Sequence, residues 1–324
     1  MDFIKFPSMD FDAAKSQFLE FAQAIQTEGD RHQFFEWMRD FVIPEFARNP
    51  TGDGLEEEDQ MLNQIAGDIR AQMPLEAVLQ SESIVYPTVG EDASLNPGNS
   101  VHVDAFLYDE DEEEALVQEG HLSRNHCGDC GSRNIEDTTF ITHSCSKERL
   151  KHIFTKVLPP LAGKTVVDIG SRIGAVLWGA YYYSQAARVV GIEINGDLCS
   201  LQRAVVEKYR LGDRVTVVEG DMCRLGETIK TGDVVILNNV FDWFMAPEVQ
   251  VQMWKFLRNN ISPGSLLVTI PSLETSLEHL NTGIDLSTWV RTFPSTTCHV
   301  TTIDDMDSDQ VETSEVCLYQ ILNS

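Results

Sequence analysis

Three acidic residues that follow short apolar runs are the first in this chain whose types and spacing suggest chemistry. Asp168 follows Val166 and Val167 and opens onto Gly170-Ser171-Arg172-Ile173-Gly174. Glu193 closes Val189-Val190-Gly191-Ile192, and Asp221 with Met222 follows Val217-Val218-Glu219. A carboxylate at the end of a buried strand must be partnered or bind something. Gly170 lets backbone approach a ligand, Gly174 lets a following helix sit close to the strand, and that helix's first N–H groups face the same place. An acid about twenty residues beyond such a turn is placed to accept both hydroxyls of a ribose, the role open to Glu193. Asp221 can accept from an adenine amino group, with Ile194 and Met222 flanking the ring. The three acids together fit an adenosine.

A fourth apolar run leads into Asn238-Asn239-Val240-Phe241-Asp242-Trp243-Phe244. Either asparagine can accept a hydrogen bond from an amine and so aim its lone pair. Phe241, Trp243 and Phe244 suit stacking on a substrate or facing a cation, worth a few tenths to about 2 kcal/mol. They equally suit core packing beneath a cleft.

This ordered set, over residues 147–324, resembles the class I S-adenosylmethionine-dependent methyltransferases. The resemblance implies an α/β fold, a Rossmann-like sheet of seven strands with a C-terminal antiparallel pair, and S-adenosyl-L-methionine as methyl donor. It places Asp168, Gly170, Ser171 and Gly174 near the methionine moiety, Glu193 on the ribose, and Asp221 with Ile194 and Met222 on the adenine. Asn238, Asn239 and Phe241 would then meet the acceptor, Asn238 also touching the donor. Arg172 departs from the family, whose loop commonly has glycine there. Methyl transfer is an in-line displacement, so alignment supplies much of the rate and no acid–base dyad is required. A looser similarity, in the Asp-x-Gly-Ser-x-x-Gly loop and the paired asparagines, links the chain to non-SET histone-lysine methyltransferases, although it has no Lys/Arg-rich tail to grip DNA.

The elements that must hold these residues follow from periodicity. Residues 165–169, 188–193, 214–219, 233–237 and 265–270 read as five buried strands alternating with helices, which implies βαβ units and a parallel sheet. Residues 297–303 and 315–322 read as an antiparallel edge hairpin. Helical spacing marks Phe18 to Ile25, Phe34 to Phe41 and Met61 to Met73. The expected organisation is a mainly helical region over 1–86, an acidic linker over 87–146 and the methyltransferase domain over 147–324.

The formal charge is −27, of which residues 1–150 carry −21 and residues 151–324 carry −6. Such a field repels a phosphate backbone and favours a protein substrate over nucleic acid, or a basic partner for the N-terminal half. Six consecutive carboxylates at 109–114 read as a solvated loop or the polar start of a helix. No apolar run spans a bilayer and no export signal is visible, so a cytoplasmic or nuclear location with reduced thiols is expected. Cys127, Cys130, His143 and Cys145 raise a zinc knuckle, against a tight turn of inert thiols, because only one CxxC is present and a closed site needs four ligands. Rival readings are a nicotinamide dehydrogenase, which predicts a GxGxxG spacing absent here, a small-molecule methyltransferase, and a catalytically silent adaptor that binds the donor and a basic partner.

Overall fold

The structure is a computed structural model and describes residues 25, 27–37, 55–128, 135–293 and 316–322. The chain forms two compact units, Met1–Gly52 and Asp53–Ser324. In the first, helix α1 (Glu28–Trp37) is described; the helical pattern expected over Phe18 to Ile25 lies almost wholly outside the described residues.

The second unit begins with α2 (Glu56–Arg70), whose Leu62, Ile65, Ala66 and Ile69 are buried as their spacing predicts. Strand β1 (Ser100–His102) comes next, then α3 (Glu110–Gln118), β2 (Asn125–Cys127), β3 (Ile135–Asp137), β4 (Thr139–Ile141) and α4 (Lys147–His152). The run 109–114 is the polar start of α3. Asp109 caps the helix in a reciprocal box with Glu112, which satisfies two N–H groups the helix leaves open. Glu112 pairs with Arg70, Glu113 and Glu114 with Arg124, and Asp109 with Lys147.

The sheet strands are β5 (Thr165–Ile169), β6 (Arg188–Glu193), β7 (Val215–Glu219), β8 (Val234–Asn238), β9 (Leu266–Ile270), β10 (Val290–Thr292) and β11 (Cys317–Ile321). Their order is β10-β11-β9-β8-β5-β6-β7. The five strands β5 to β9 are parallel, and β11 lies antiparallel between β9 and β10. The fold is therefore the expected Rossmann-like α/β sheet of seven strands with an antiparallel C-terminal pair. The hairpin partner expected at 297–303 lies outside the described residues, and the edge strand seen is Val290–Thr292.

Helices α5 (Ala175–Tyr183), α6 (Gly196–Tyr209) and α8 (Pro247–Asn260) cover the sheet, with the short α7 (Gly226–Ile229) between the last two. Strands buried on both faces read as continuous apolar runs, which is why Val166, Val167, Val189, Val190, Val235 and Ile236 are wholly buried. On one face Ile169, Val190, Ile192, Leu237, Phe241, Trp254 and Tyr319 share a single core.

Helix α2 is fastened to this body by polar bonds as well as by its apolar face. Asp59 accepts from Lys151 at 2.9 Å and Tyr183 at 2.7 Å, and Asp68 accepts from Lys208 and Tyr209. Cys317 is disulfide-bonded, a correction to the expectation of reduced thiols throughout. No helix among the described residues is long and apolar enough to cross a membrane.

Candidate active site

The chain leaves β5 for one side of the sheet (β6, β7) and returns through β8 on the other, so a crevice opens at the carboxyl ends of β5 and β8. A cavity of about 450 Å³ lies there, within the range of small-ligand sites. Its wall includes Gly170, Glu193, Ile194, Asp221, Met222, Asn238, Asn239 and Phe241. Of the residues expected to bind the donor, Asp168, Ser171 and Gly174 do not reach the cavity surface. Ser171 Oγ instead donates to Gln202 at 3.0 Å.

The turn after β5 takes its shape from left-handed backbone. Gly170, Arg172 and Gly174 have φ of 73°, 46° and 84°. A Cβ on Gly170 would stand 2.7 Å from Val240, and one on Gly174 would stand 2.4 Å from the Trp178 ring, so neither position admits a side chain. Arg172 costs roughly 1–2 kcal/mol in that conformation and is held by bonds at every polar group. Its N–H donates to Glu193 Oε2 at 2.9 Å, its carbonyl accepts from Gln202, and its guanidinium donates to Glu82 at 3.0 Å, Asp104 at 2.8 Å and the Ala77 carbonyl. The Arg172 side chain thereby anchors residues 77–104 against the turn.

Glu193 is buried, accepting from Arg172 N on one oxygen and from Asn195 N, 2.8 Å away, on the other. Each oxygen keeps a lone pair, which is what two ribose hydroxyls require. Burial raises the Glu193 carboxyl above its ordinary value, offset in part by those backbone bonds. Burial, reinforced by Glu193, pushes the Asp168 carboxyl up to about 8. Two buried acids whose charge is disfavoured form a site that a cationic ligand would relieve. Asp221 Oδ1 accepts from Cys223 N at 2.9 Å and shapes the turn beside Met222.

The other end of the cavity is built from β8 and from residues upstream of the sheet. Asn239 sits at φ 43°, its N–H donating to the Ile270 carbonyl at 2.7 Å, and its Oδ1 is buried without a partner. Trp243 is buried in the core, whereas Phe241, edge-on against Trp254 at 5.3 Å, serves both the core and the cavity wall, which Phe244 lines as well. His143 lines it too, with Ser81, Glu82 and Ser83. Val85 N donates to the Trp243 carbonyl at 2.8 Å and Asn195 Nδ2 to Ser81 at 3.1 Å, which seats residues 77–86 across the opening.

Glu82, Asp104, His102 and the seating residues were not singled out by sequence reasoning. Glu82 and Asp104 lie on irregular chain and His102 ends a strand of three residues, too short to show a period, and only the departure at Arg172 hinted that something must meet it. His143 carried a signal, but for zinc. It and Cys145 are buried and Cys127 is exposed, Cys130 is outside the described residues, and no group of three or more His, Cys, Asp or Glu among the described residues is placed to hold a metal.

The residues fit S-adenosylmethionine: Glu193 would hold the ribose, Asp221 and Met222 the adenine, and the Gly170 turn the methionine end. Bound there, the sulfonium supplies a methyl group activated for displacement. An RNA methyltransferase from Salinibacter ruber in complex with S-adenosyl-L-homocysteine is 22% identical over 50% of this chain and 82% of its own, with a TM-score of 0.32. A methyltransferase from Geobacter sulfurreducens is 17% identical over 54% and 78%, with a TM-score of 0.35. Precorrin-6y C5,15-methyltransferase from Geobacter metallireducens is 15% identical over 56% and 91%, with a TM-score of 0.39. No curated protein matches the chain. Residues 167–268, which hold β6, β7 and β8 and most of the cavity wall, match the family model described as a methyltransferase domain.

Proposed function

We propose that the enzyme transfers the methyl group to a nitrogen of a protein substrate that presents a basic segment. The observation that carries this reading is the charge of the cavity. Glu82, Glu193 and Asp221 line it against one cation, Arg172, whose guanidinium is already engaged by Glu82 and Asp104. A low-dielectric site with surplus carboxylate favours positive ligands. The sulfonium is one, and a lysine- or arginine-bearing segment is another.

The unpartnered Asn239 Oδ1 supports nitrogen as the acceptor atom, since it can take an amine N–H and turn the lone pair toward the methyl group. The whole-chain charge of −27 supports a basic partner over RNA or DNA. Such a partner would meet the acidic N-terminal half, although four of the carboxylates at 109–114 already face Arg70, Arg124 or Lys147.

Labelled S-adenosylmethionine, incubated with the full chain and either acid-extracted basic proteins or total RNA, tests this. Label is expected in the protein fraction and resistant to ribonuclease. Asn239→Gly, which keeps the left-handed backbone without strain, should lower incorporation by tenfold or more. Label in RNA alone would overturn the proposal.

A further inference from the structure

The acceptor end of the cavity holds a group that methyl-group alignment alone does not use. His143 is 7% exposed and lines the cavity beside Asn238, Asn239 and Phe244. Its Nε2 lies 2.9 Å from His102 Nδ1, and its own Nδ1 is buried without a partner. Parallel pairing of β1 with β4 sets His102 opposite Ile141, two residues before His143, and so brings the imidazoles together. Their centroids are 4.9 Å apart, and Trp243 meets both rings at 5.9 Å. His102 is only half-buried, so the pair runs from the cavity toward the surface.

We propose that His143 and His102 form a relay that takes the proton from the acceptor nitrogen as the methyl group arrives. The relay rests on the nitrogen-acceptor reading given above. The acceptor nitrogen forms its bond to the methyl carbon as the sulfur–carbon bond breaks, and the sulfur keeps that electron pair. The nitrogen's proton passes to His143 Nδ1, the proton on His143 Nε2 passes to His102 Nδ1, and the proton on His102 Nε2 leaves to water. The positive charge lost by the sulfonium thus leaves as one proton. A neutral imidazole offers one donor and one acceptor nitrogen, so a proton on His143 Nε2 leaves Nδ1 bare for the incoming N–H. An orphaned buried nitrogen is costly, and an acceptor's N–H would recover that cost. Burial first, then Arg172 and His102, holds the His143 imidazolium down to about 2, and burial with Arg172 also lowers His102. Both rings are therefore neutral at rest, and His143 passes a proton on without storing it.

The test combines two measurements on the full chain. Imidazole nitrogen-15 spectra should show His143 with its proton on Nε2, bonded to His102, and a bare Nδ1. A proton on Nδ1 instead overturns the relay, whatever the acceptor. Labelled methyl transfer to acid-extracted basic proteins is then followed for His143→Phe, His143→Asn and His102→Phe, with donor affinity measured beside it. The expected result is donor binding within about twofold of wild type and a rate at least tenfold lower in all three variants, His143→Asn included, because its amide can hold a hydrogen bond but passes no proton on. Wild-type rates in either Phe variant overturn the relay and leave the protein-acceptor reading standing. Failure of the wild type to label protein overturns that reading instead, and the spectra then decide the relay alone.

Discussion

The two walls of the cavity are built in different ways. The donor wall comes from the carboxyl ends of β5, β6 and β7, where regular strands deliver Gly170, Glu193 and Asp221 at positions fixed by parallel register. The roof comes largely from chain at 77–108 and 142–146 with little regular structure, which shares the acceptor end with Asn238 and Asn239 of the β8 end and is held by polar bonds to Arg172, Asn195 and Trp243. A regular sheet positions ligand groups through its backbone, whereas an irregular roof must be positioned side chain by side chain. The first should tolerate loss of a ligand group without unfolding, and the second should not.

Arg172→Ala sharpens that difference most. It leaves Glu82 and Asp104 buried without their cation, so unfolding free energy should fall by about 3–5 kcal/mol, measured by denaturant titration. Arg172→Gly should lose somewhat less, because glycine accepts the left-handed turn. Equal losses in both variants would show that the guanidinium alone matters, and no loss in either would break the comparison.

On the donor wall the next effect is one of pH. Asp168 holds its proton in the folded state up to about 8 but ionises near 3.9 when unfolded. The unfolded chain therefore binds fewer protons between those values, and stability should fall as pH rises from about 4 toward 8. Asp168→Asn should flatten that slope in melts across pH 5 to 8, and an unchanged slope would remove Asp168 as its source. A smaller effect is expected from Asp221→Ala, roughly tenfold in donor affinity by calorimetry, the loss of one hydrogen-bonding group. Smallest is Asn195→Ala, which removes the cap that accepts from Asp197 and Leu198 and the tie to Ser81. About 1 kcal/mol of stability should go with it.

The same contrast governs how far the sequence could be read. Strands 165–169 and 188–193 fall where their β-branched runs place them, because burial on both faces demands such runs. Glu193, Asp221 and the paired asparagines were legible because each follows a strand at fixed spacing. The roof was not legible. Glu82 and Asp104 lie 90 and 68 residues before Arg172 in the chain, and nothing in the order of residues marks a buried ion pair between irregular segments. His143 looked like a metal ligand because histidine beside cysteine has that meaning in sequence, whereas its partner in space is His102. The edge strand differs for another reason: Val290–Thr292 is too short to show a period, yet it completes the sheet beside Cys317–Ile321.

The most direct test of the central claim is calorimetric titration of the full chain with S-adenosylmethionine and with NAD, repeated on Glu193→Ala. The account predicts saturable one-to-one binding of the methyl donor, weakened about a hundredfold or more in the variant while its fold persists, and no binding of NAD. No binding of the methyl donor, or equal binding with and without the Glu193 carboxylate, would contradict it.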